Sequence, residues 1–383
     1  MLPKTRIASA IIIGLGFALI AWGVVFPYVV PVDARMPLAL TQTTVTLVDD
    51  SATQRMPGDG STYTGPMTKQ YHAEILPPVD SDLATARVGV SLLRGAPGIQ
   101  VPEEQSDLDR LVEASVWTYS FARTTGLNTS PLKFVDVPAT PPQTVEFSGY
   151  WVKFPSNAEQ TTYEVFDSTL RRTTPAVFQE AIQRGGRTIY RYHQEIEPTN
   201  VARNYRNFFT TIPIEIPAEF VGPHQEEIQP GEELTPDGLQ PPADGAEPPA
   251  TGGENLPEEN AEQPGGPEMK TVAADLYHSG TRDFYVDQIS GMVIDVDEDI
   301  IDYYGDEQGG KLADAHLFSG SVSDEQAAAL LAQASQISDG SVVRTINWVV
   351  FGIGCLLTLI GLAGAFRIRR RQRKANEIQE MME

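Results

Sequence analysis

The stretch Thr161–Ile196, "TTYEVFDSTLRRTTPAVFQEAIQRGGRTIYRYHQEI", decides the fold class. Its opening "TTYEVFDS" and closing "RTIYRYHQEI" alternate with period two, as half-buried strands do. "TLRR" reads as a corner. Between them, "TTPAVFQEAIQRGG" reads as a short amphipathic helix. Thr174 would cap it, Pro175 would fit its first turn, and Gly185 would close it. Val177, Phe178, Ala181 and Ile182 would form its apolar stripe.

Working outward, "ASVWTYSFAR" places Trp117, Tyr119 and Phe121 on one face and Ala114, Val116, Thr118 and Ser120 on the other. "ATARVGVSLLRG" and "TVEFSGYWVKFP" alternate in the same way, and "DFYVDQISGMVIDV" predicts a hairpin turning near Ser290–Gly291. These segments predict a mainly antiparallel β domain, a sandwich or half-barrel, with few helices. A second helix is expected in "SGSVSDEQAAALLAQASQI", where Ser323 and Gln326 have capping-box spacing.

Two apolar runs flank this region. Ile7–Phe26 carries no charge, and its twenty residues would span about 30 Å as a helix. It is longer than the apolar core of a cleaved signal, so residues 7–28 are expected to be an uncleaved anchor behind a short cytoplasmic segment, 1–6. Val32 and Ala34 keep cleavage open. Residues 346–366 form the second span, and Arg367, Arg369, Arg370, Arg371, Arg373 and Lys374 follow at once in the tail 367–383. By the positive-inside rule this predicts cytoplasmic termini at the inner (plasma) membrane, with 32–342 periplasmic. Gly352, Gly354, Gly361 and Gly364 would let a neighbouring helix come close.

Of the outer region, 36–220 and 270–322 are expected to build one β-rich domain, and 323–342 a membrane-proximal helix. From Val221 to Met269 the sequence turns to proline, glycine and glutamate. Residues 222–269 hold twelve acidic residues and no lysine or arginine. This segment predicts a disordered, self-repelling insertion. The whole chain of 383 residues has a net charge of −23, which argues against nucleic acid as a partner. The single cysteine, Cys355, excludes an intramolecular disulfide and a cysteine-based metal site.

No Walker loop, dinucleotide fingerprint, HExxH or GxSxG motif occurs. Ser168, beside Asp167, has no local base or glycine elbow, and no catalytic residue is assigned. His72, His193, His224, His278 and His316 are scattered and read as surface or packing residues. In "VIDVDEDIIDYYGDE", Asp295, Asp297 and Asp299 match the first calcium-loop ligands, but Ile300 stands where glycine is needed. A strand with Ile294 and Val296 inward is the simpler reading. No metal and no cofactor is expected. Trp117, Tyr119, Phe121, Trp151, Phe154, Tyr163, Phe166, Tyr190 and Tyr192 are the candidate lining of a groove for acyl chains or sugars; core packing is the competing reading. Arg171 and Arg172, set before the expected helix N-terminus, are candidate anion ligands.

"GYWVKFPSNAEQTTYEVFDSTLRRTTPAVFQEAIQRGGRTIYRYHQEI", with "RDFYVDQISGMVIDV", resembles the actinobacterial two-anchor envelope proteins labelled the porin PorA family. The resemblance covers nearly the whole chain. It implies a role in building a mycolate-containing envelope, beside relatives such as polar growth factor A and a lipomannan and lipoarabinomannan maturation factor. The expectation is then a non-enzymatic, membrane-tethered periplasmic accessory protein that binds or hands over envelope lipids or glycolipids. Its partners would be a mycolate exporter or envelope glycosyltransferases. A protein-only scaffold and a periplasmic carbohydrate-active enzyme remain the alternatives. The porin label itself fits less well, since two spans cannot enclose an aqueous pore without oligomers.

Overall fold

Period-two alternation becomes strand wherever a neighbour can pair with it, and here nearly every such segment finds two. The computed structural model describes residues 4–29, 34–56, 60–97, 107–136, 141–222, 228, 268–338 and 340–381. The expected acidic insertion falls largely outside these, as does Val32 of the two cleavage positions, whereas Ala34 is described and buried. Two units are distinguished, Pro37–Ala334 and a helical unit made of the two chain ends.

The first unit holds the strands β1 (Thr44–Arg55), β2 (Thr62–Leu76), β3 (Leu83–Arg94), β4 (Leu111–Ala122), β5 (Leu132–Val135), β6 (Gln143–Val145) and β7 (Thr162–Asp167). They are followed by β8 (Arg172–Arg184), β9 (Arg187–Asn200), β10 (Thr211–Pro217), β11 (Met269–Asp287), β12 (Val293–Gly305) and β13 (Lys311–Val322). All belong to one sheet of 13 strands, ordered β6-β5-β4-β3-β2-β1-β13-β12-β11-β9-β8-β7, with β10 added on β11. Its strand pairs are antiparallel, as expected, and Asp287–Val293 makes the hairpin at Ser290–Gly291.

The sheet is strongly coiled. β4 and β7 stand far apart in strand order, yet the rings of Trp117 and Phe166 are 5.6 Å apart. One core cluster gathers Leu47 of β1, Met67 of β2, Leu92 of β3, Val165 of β7, Tyr192 of β9, Phe284 of β11, Val296 of β12 and Phe318 of β13. β7 runs into the coil at its C-terminal end: Tyr163, Val165, Phe166 and Asp167 are buried, whereas Thr162 and Glu164 stay exposed. Its free edge is paired as well. Tyr150 N donates to Glu164 O and Phe166 N donates to Tyr150 O.

One expected helix is corrected. Residues 174–184 are not helical but form most of β8, which pairs with β7 on one side and β9 on the other. Gly185 and Gly186 both have positive φ, 56° and 77°, and make the two-residue hairpin loop to β9. This is the geometry that Gly-Gly permits, and it follows the sheet's twist. A β-bulge between Phe178 and Glu180 shifts the alternation and leaves apolar spacing that imitates a helix.

The chain also forms a single helical turn, α2 (Asp107–Arg110), and the helix α3 (Asp324–Ser335). Gln326 N donates to Ser323 Oγ at 3.3 Å, so the expected cap forms. The Gln326 side chain does not return to close a capping box. It accepts from Thr46 N at 2.8 Å and donates to Thr44 O at 3.1 Å. Gln333 likewise accepts from Thr41 N and Gln42 N, both at 2.7 Å, so two glutamines sew α3 to the start of β1.

In the helical unit, α1 (Lys4–Val29) and α4 (Ser341–Glu380) each contain a segment long and apolar enough to cross a membrane, Ile7–Val29 and Ser341–Phe366. They pack antiparallel along a seam of small residues. A Cβ added to Gly16 would lie 2.8 Å from Gly354 O, and one added to Gly361 would lie 3.1 Å from Ile13 N. Gly354, Gly361 and Gly364 therefore face α1, whereas Gly352 has nothing within 4 Å. Asn347 Nδ2 donates to Gly23 O at 3.0 Å across the same seam.

A Cβ on Gly364 would sit 3.9 Å from Ser9 Cβ, inside the disulfide range of about 3.5–4.5 Å. In a Cys355→Ala background, Ser9→Cys with Gly364→Cys should oxidise to an intramolecular disulfide, read as a mobility shift. Adding Gly354→Leu should abolish the bridge. A bridge that persists would show that the glycine seam does not hold the pair.

Candidate functional site

All nine aromatic residues singled out from the sequence meet inside the coiled sheet, in two groups separated by β7. On one side, Trp117 stacks on Phe134 at 4.6 Å and meets Trp151 at 5.8 Å, while Trp151 meets Phe166 at 5.3 Å. Tyr119 joins through Trp151 and Phe121. On the other side, Phe154 stacks on Tyr192 at 5.1 Å, Tyr163 lies 5.4 Å from Tyr192, and Tyr190 lies 6.4 Å from it. Trp151 and Tyr190 are half-buried and the other seven are buried. Offset and edge-on pairs of this kind add about 0.5–1.5 kcal/mol each beyond area burial.

Arg171 occupies the β7–β8 turn with φ 54°. Its guanidinium lies 4.0 Å from the Phe134 ring and 3.3 Å from the Tyr205 ring, and bonds Asp136 at 3.0 Å and Gln143 at 3.3 Å. These contacts clasp the turn to β5, β6 and the loop after β9. Arg172 is exposed, with Thr199 Oγ1 at 3.5 Å. Because β8 replaces the expected helix, the helix N-terminus expected beside the two arginines does not form.

Between the aromatic groups and the far side of the coil runs a chain of six ionisable side chains. Lys69 Nζ donates to Glu298 Oε2 at 2.7 Å, and Arg282 Nε donates to Glu298 Oε1 at 3.1 Å. Arg282 also donates to Asp167. His278 Nε2 lies 3.2 Å from Asp167 Oδ2, and His278 Nδ1 lies 2.6 Å from Asp302 Oδ1. Tyr71 donates to Glu298 and Gln194 accepts from Arg282, so most of the remaining bonding capacity is met. Positive and negative groups alternate along the chain, which is what allows so many charges inside a core. Lys69 reaches Glu298 across two intervening strands, and Asp167 reaches Arg282 across two others; only a coiled sheet brings them within bonding distance.

The environment sets each protonation state. Burial alone would lower the His278 pKa, but Asp302 and Asp167 outweigh it and raise it to about 9. For Glu298, burial is outweighed by Lys69 and Arg282, which bring it down to about 2. Asp167 is held well below the carboxylate range; Arg282 and then His278 overcome its burial. Elsewhere Lys153, fully buried, donates to Thr124 O, Phe154 O and Ser156 Oγ, and burial without a counter-ion lowers its pKa to about 7.

Sequence reading had placed Asp167 beside a possible nucleophile and His278 among packing residues, and had passed over Lys69, Arg282, Glu298 and Asp302. One signal was available. Glu298 shares the parity of Ile294, Val296 and Ile300 on β12, all buried. The carboxylates of the supposed calcium loop alternate along this extended strand and cannot wrap an ion as a calcium loop does.

Two results are expected. Asp167→Asn leaves Arg282 and His278 short of their shared partner and should cost about 3–5 kcal/mol in urea unfolding. The pH profile has two limbs. The raised His278 pKa gives stability that is complete below pH 6.5 and lost as pH rises through about 9. The depressed Glu298 pKa gives stability that is complete above pH 4.5 and lost as pH falls toward about 2. Thermal melts should show the alkaline limb in the native chain and a reduced one in His278→Gln.

Comparison with known proteins bears on what this interior serves. The family model described as Porin PorA matches residues 8–363. A Porin PorA of Corynebacterium resistens is 20% identical over 97% of this chain and 100% of its own length. A Porin PorA of Corynebacterium amycolatum is 26% identical over 38% of this chain and 37% of that protein. These matches correct three expectations: the lipid- and glycolipid-handling role, its association with mycolate and lipoarabinomannan assembly, and the placement at the inner membrane with a periplasmic domain. The relatives are named for pore formation, which also points away from an enzyme. The chain belongs to the Porin PorA family.

Proposed function

We propose that this chain is a non-enzymatic membrane protein of the channel class, inserted through the α1–α4 hairpin and conducting only as an assembly of several copies. The observation that carries this reading is the closed seam between the two helices. Gly16, Gly354 and Gly361 bring the backbones into contact, which leaves no passage between them. Two donors at the seam are engaged within the hairpin: Asn347 Nδ2 donates to Gly23 O and Thr358 Oγ1 donates to Gly354 O. The outer surfaces carry exposed Ile11, Leu15, Phe17, Leu356, Leu359 and Ile360, which suit lipid rather than a water-filled lumen.

The coiled sheet offers no alternative membrane pore. Its inward face is packed around Leu47, Phe154, Tyr192 and Phe318. A spanning barrel has the opposite polarity, apolar outside and polar within. A water-filled path therefore requires several copies. With a net charge of −23, such an assembly should favour cations.

Purified full-length protein added to a planar lipid bilayer should give stepwise conductance, with a reversal potential under a KCl gradient that reports cation preference. Protein that inserts, as shown by protease protection, but stays electrically silent would sink the reading.

A further inference from the structure

We infer that copies of this chain associate head to tail, with the Arg206–Phe209 loop of one β unit seated on the outer face of β12 and β13 of the next. The inference rests on the assembly proposed above and names the contact that would build it. Its two halves come from features that neither the core nor the helical seam uses.

The loop is rigid and shows its apolar side chains to solvent. Asn207 Oδ1 accepts from Phe209 N at 2.9 Å and from Thr210 N at 3.0 Å, and Asn207 N donates to Thr210 Oγ1 at 2.9 Å. Tyr304 Oη donates to Phe209 O at 3.0 Å and ties the turn to β12. On this fixed backbone Phe208 is 60% and Phe209 48% exposed. Each uncovered ring leaves apolar surface in water that burial at a contact would remove. Arg206 beside them is exposed and has no ion pair among the described residues. The loop thus presents an apolar tip with one free positive charge.

The outer face of the central strands carries the complement. Cross-strand register sets Ile301 opposite Leu317 and, in the adjoining row, Asp299 opposite Ser319. Ile301 is 46% exposed, and Asp299 is exposed with no cation bound to it among the described residues. The neighbouring row holds Asp297 opposite Ser321, and the serines and aspartates line an open depression of about 280 Å³. An apolar ledge therefore borders an acidic hollow, as the apolar rings border the arginine on the loop. Charge and apolarity match in the same order on two patches of one chain. Two different patches in contact make a heterologous interface. For copies sharing one bilayer, the rotation between neighbours runs about the membrane normal, and such a contact makes a ring where that rotation closes. A ring is also the arrangement that could surround a pore.

The test is a charge swap in the full-length chain, purified in detergent and measured by light scattering with size-exclusion chromatography. The wild type should run as a multiple of the 41.8 kDa protomer. Arg206→Glu alone and Asp299→Arg alone should each shift the population toward the protomer, by about tenfold or more in apparent Kd for a close interfacial charge pair. The double variant should recover the wild-type mass. Phe208→Ser with Phe209→Ser should dissociate the assembly without lowering the thermal midpoint, since both rings are exposed. A protomeric wild type, single variants that keep the wild-type mass, or a double variant that does not recover would each overturn the contact. Conductance of the same preparations separates this from the channel reading. Conducting assemblies insensitive to the swap would refute the contact alone, and swap-sensitive assemblies that never conduct would refute the channel alone.

Discussion

The bond between Asp167 and Arg282 is the constraint on which the β unit depends. It joins the last residue of an edge strand to the middle of the sheet's longest strand, across two intervening strands. An edge strand normally lies at a sheet's margin, where its unpaired backbone invites aggregation. Here the end of that edge is carried into the coil, its backbone is paired by Tyr150, and its last three residues, Val165, Phe166 and Asp167, are buried. Once β7 is inside, Phe166 can meet Trp117 on one side while Tyr163 and Val165 meet the main core on the other. Two aromatic groups then become one continuous interior with a strand as the partition.

The interior charges show how such an arrangement tolerates burial. A lone carboxylate at the position of Asp167 would be prohibitively costly. Arg282 and His278 neutralise it, Glu298 and Asp302 neutralise them, and Lys69 ends the chain. Against an apolar core of the same volume, such a network need not add net stability. It does specify one arrangement. The six groups come from β2, β7, β11 and β12, so a slip of any of these strands by one residue would turn its charge outward and leave a partner unpaired. The network therefore fixes the register of four strands at once, which simple apolar packing of Val and Ile residues would do less strictly.

Much of this was legible in the sequence, and the failures have identifiable causes. Period-two alternation marks the strands because each buries one face, as Trp117, Tyr119 and Phe121 do. β8 reads as a helix in the sequence because its bulge mimics helical spacing and Gly-Gly serves a helix end as well as a hairpin loop. The inward Glu298 was passed over because the acidic neighbours Asp295, Asp297 and Asp299 suggested a solvated face, although residue parity already separates them from it. Arg282 and His278 find their partners only through coiling, which sequence periodicity does not encode. The glycines of α4 were read correctly in kind, but only the fold distinguishes Gly354, Gly361 and Gly364, which face α1, from Gly352, which does not.

In the proposed assembly, the division of labour between the two units follows from the solvent each one would meet. Within lipid there is no hydrophobic drive between helices, so α1 and α4 pair through close backbone contact and one interhelical amide bond. That pairing uses Gly16, Gly23, Gly354 and Gly361, and the exposed side chains of both helices are largely apolar, so lipid is as good a neighbour to them as another copy. Specific association between copies must then come from surface in water, where exposed rings and unpaired charges gain free energy on contact. The β unit supplies such surface and the hairpin does not. In the proposed assembly the hairpin is the element that enters the membrane, the β unit is the element that contacts other copies, and the pore belongs to neither alone.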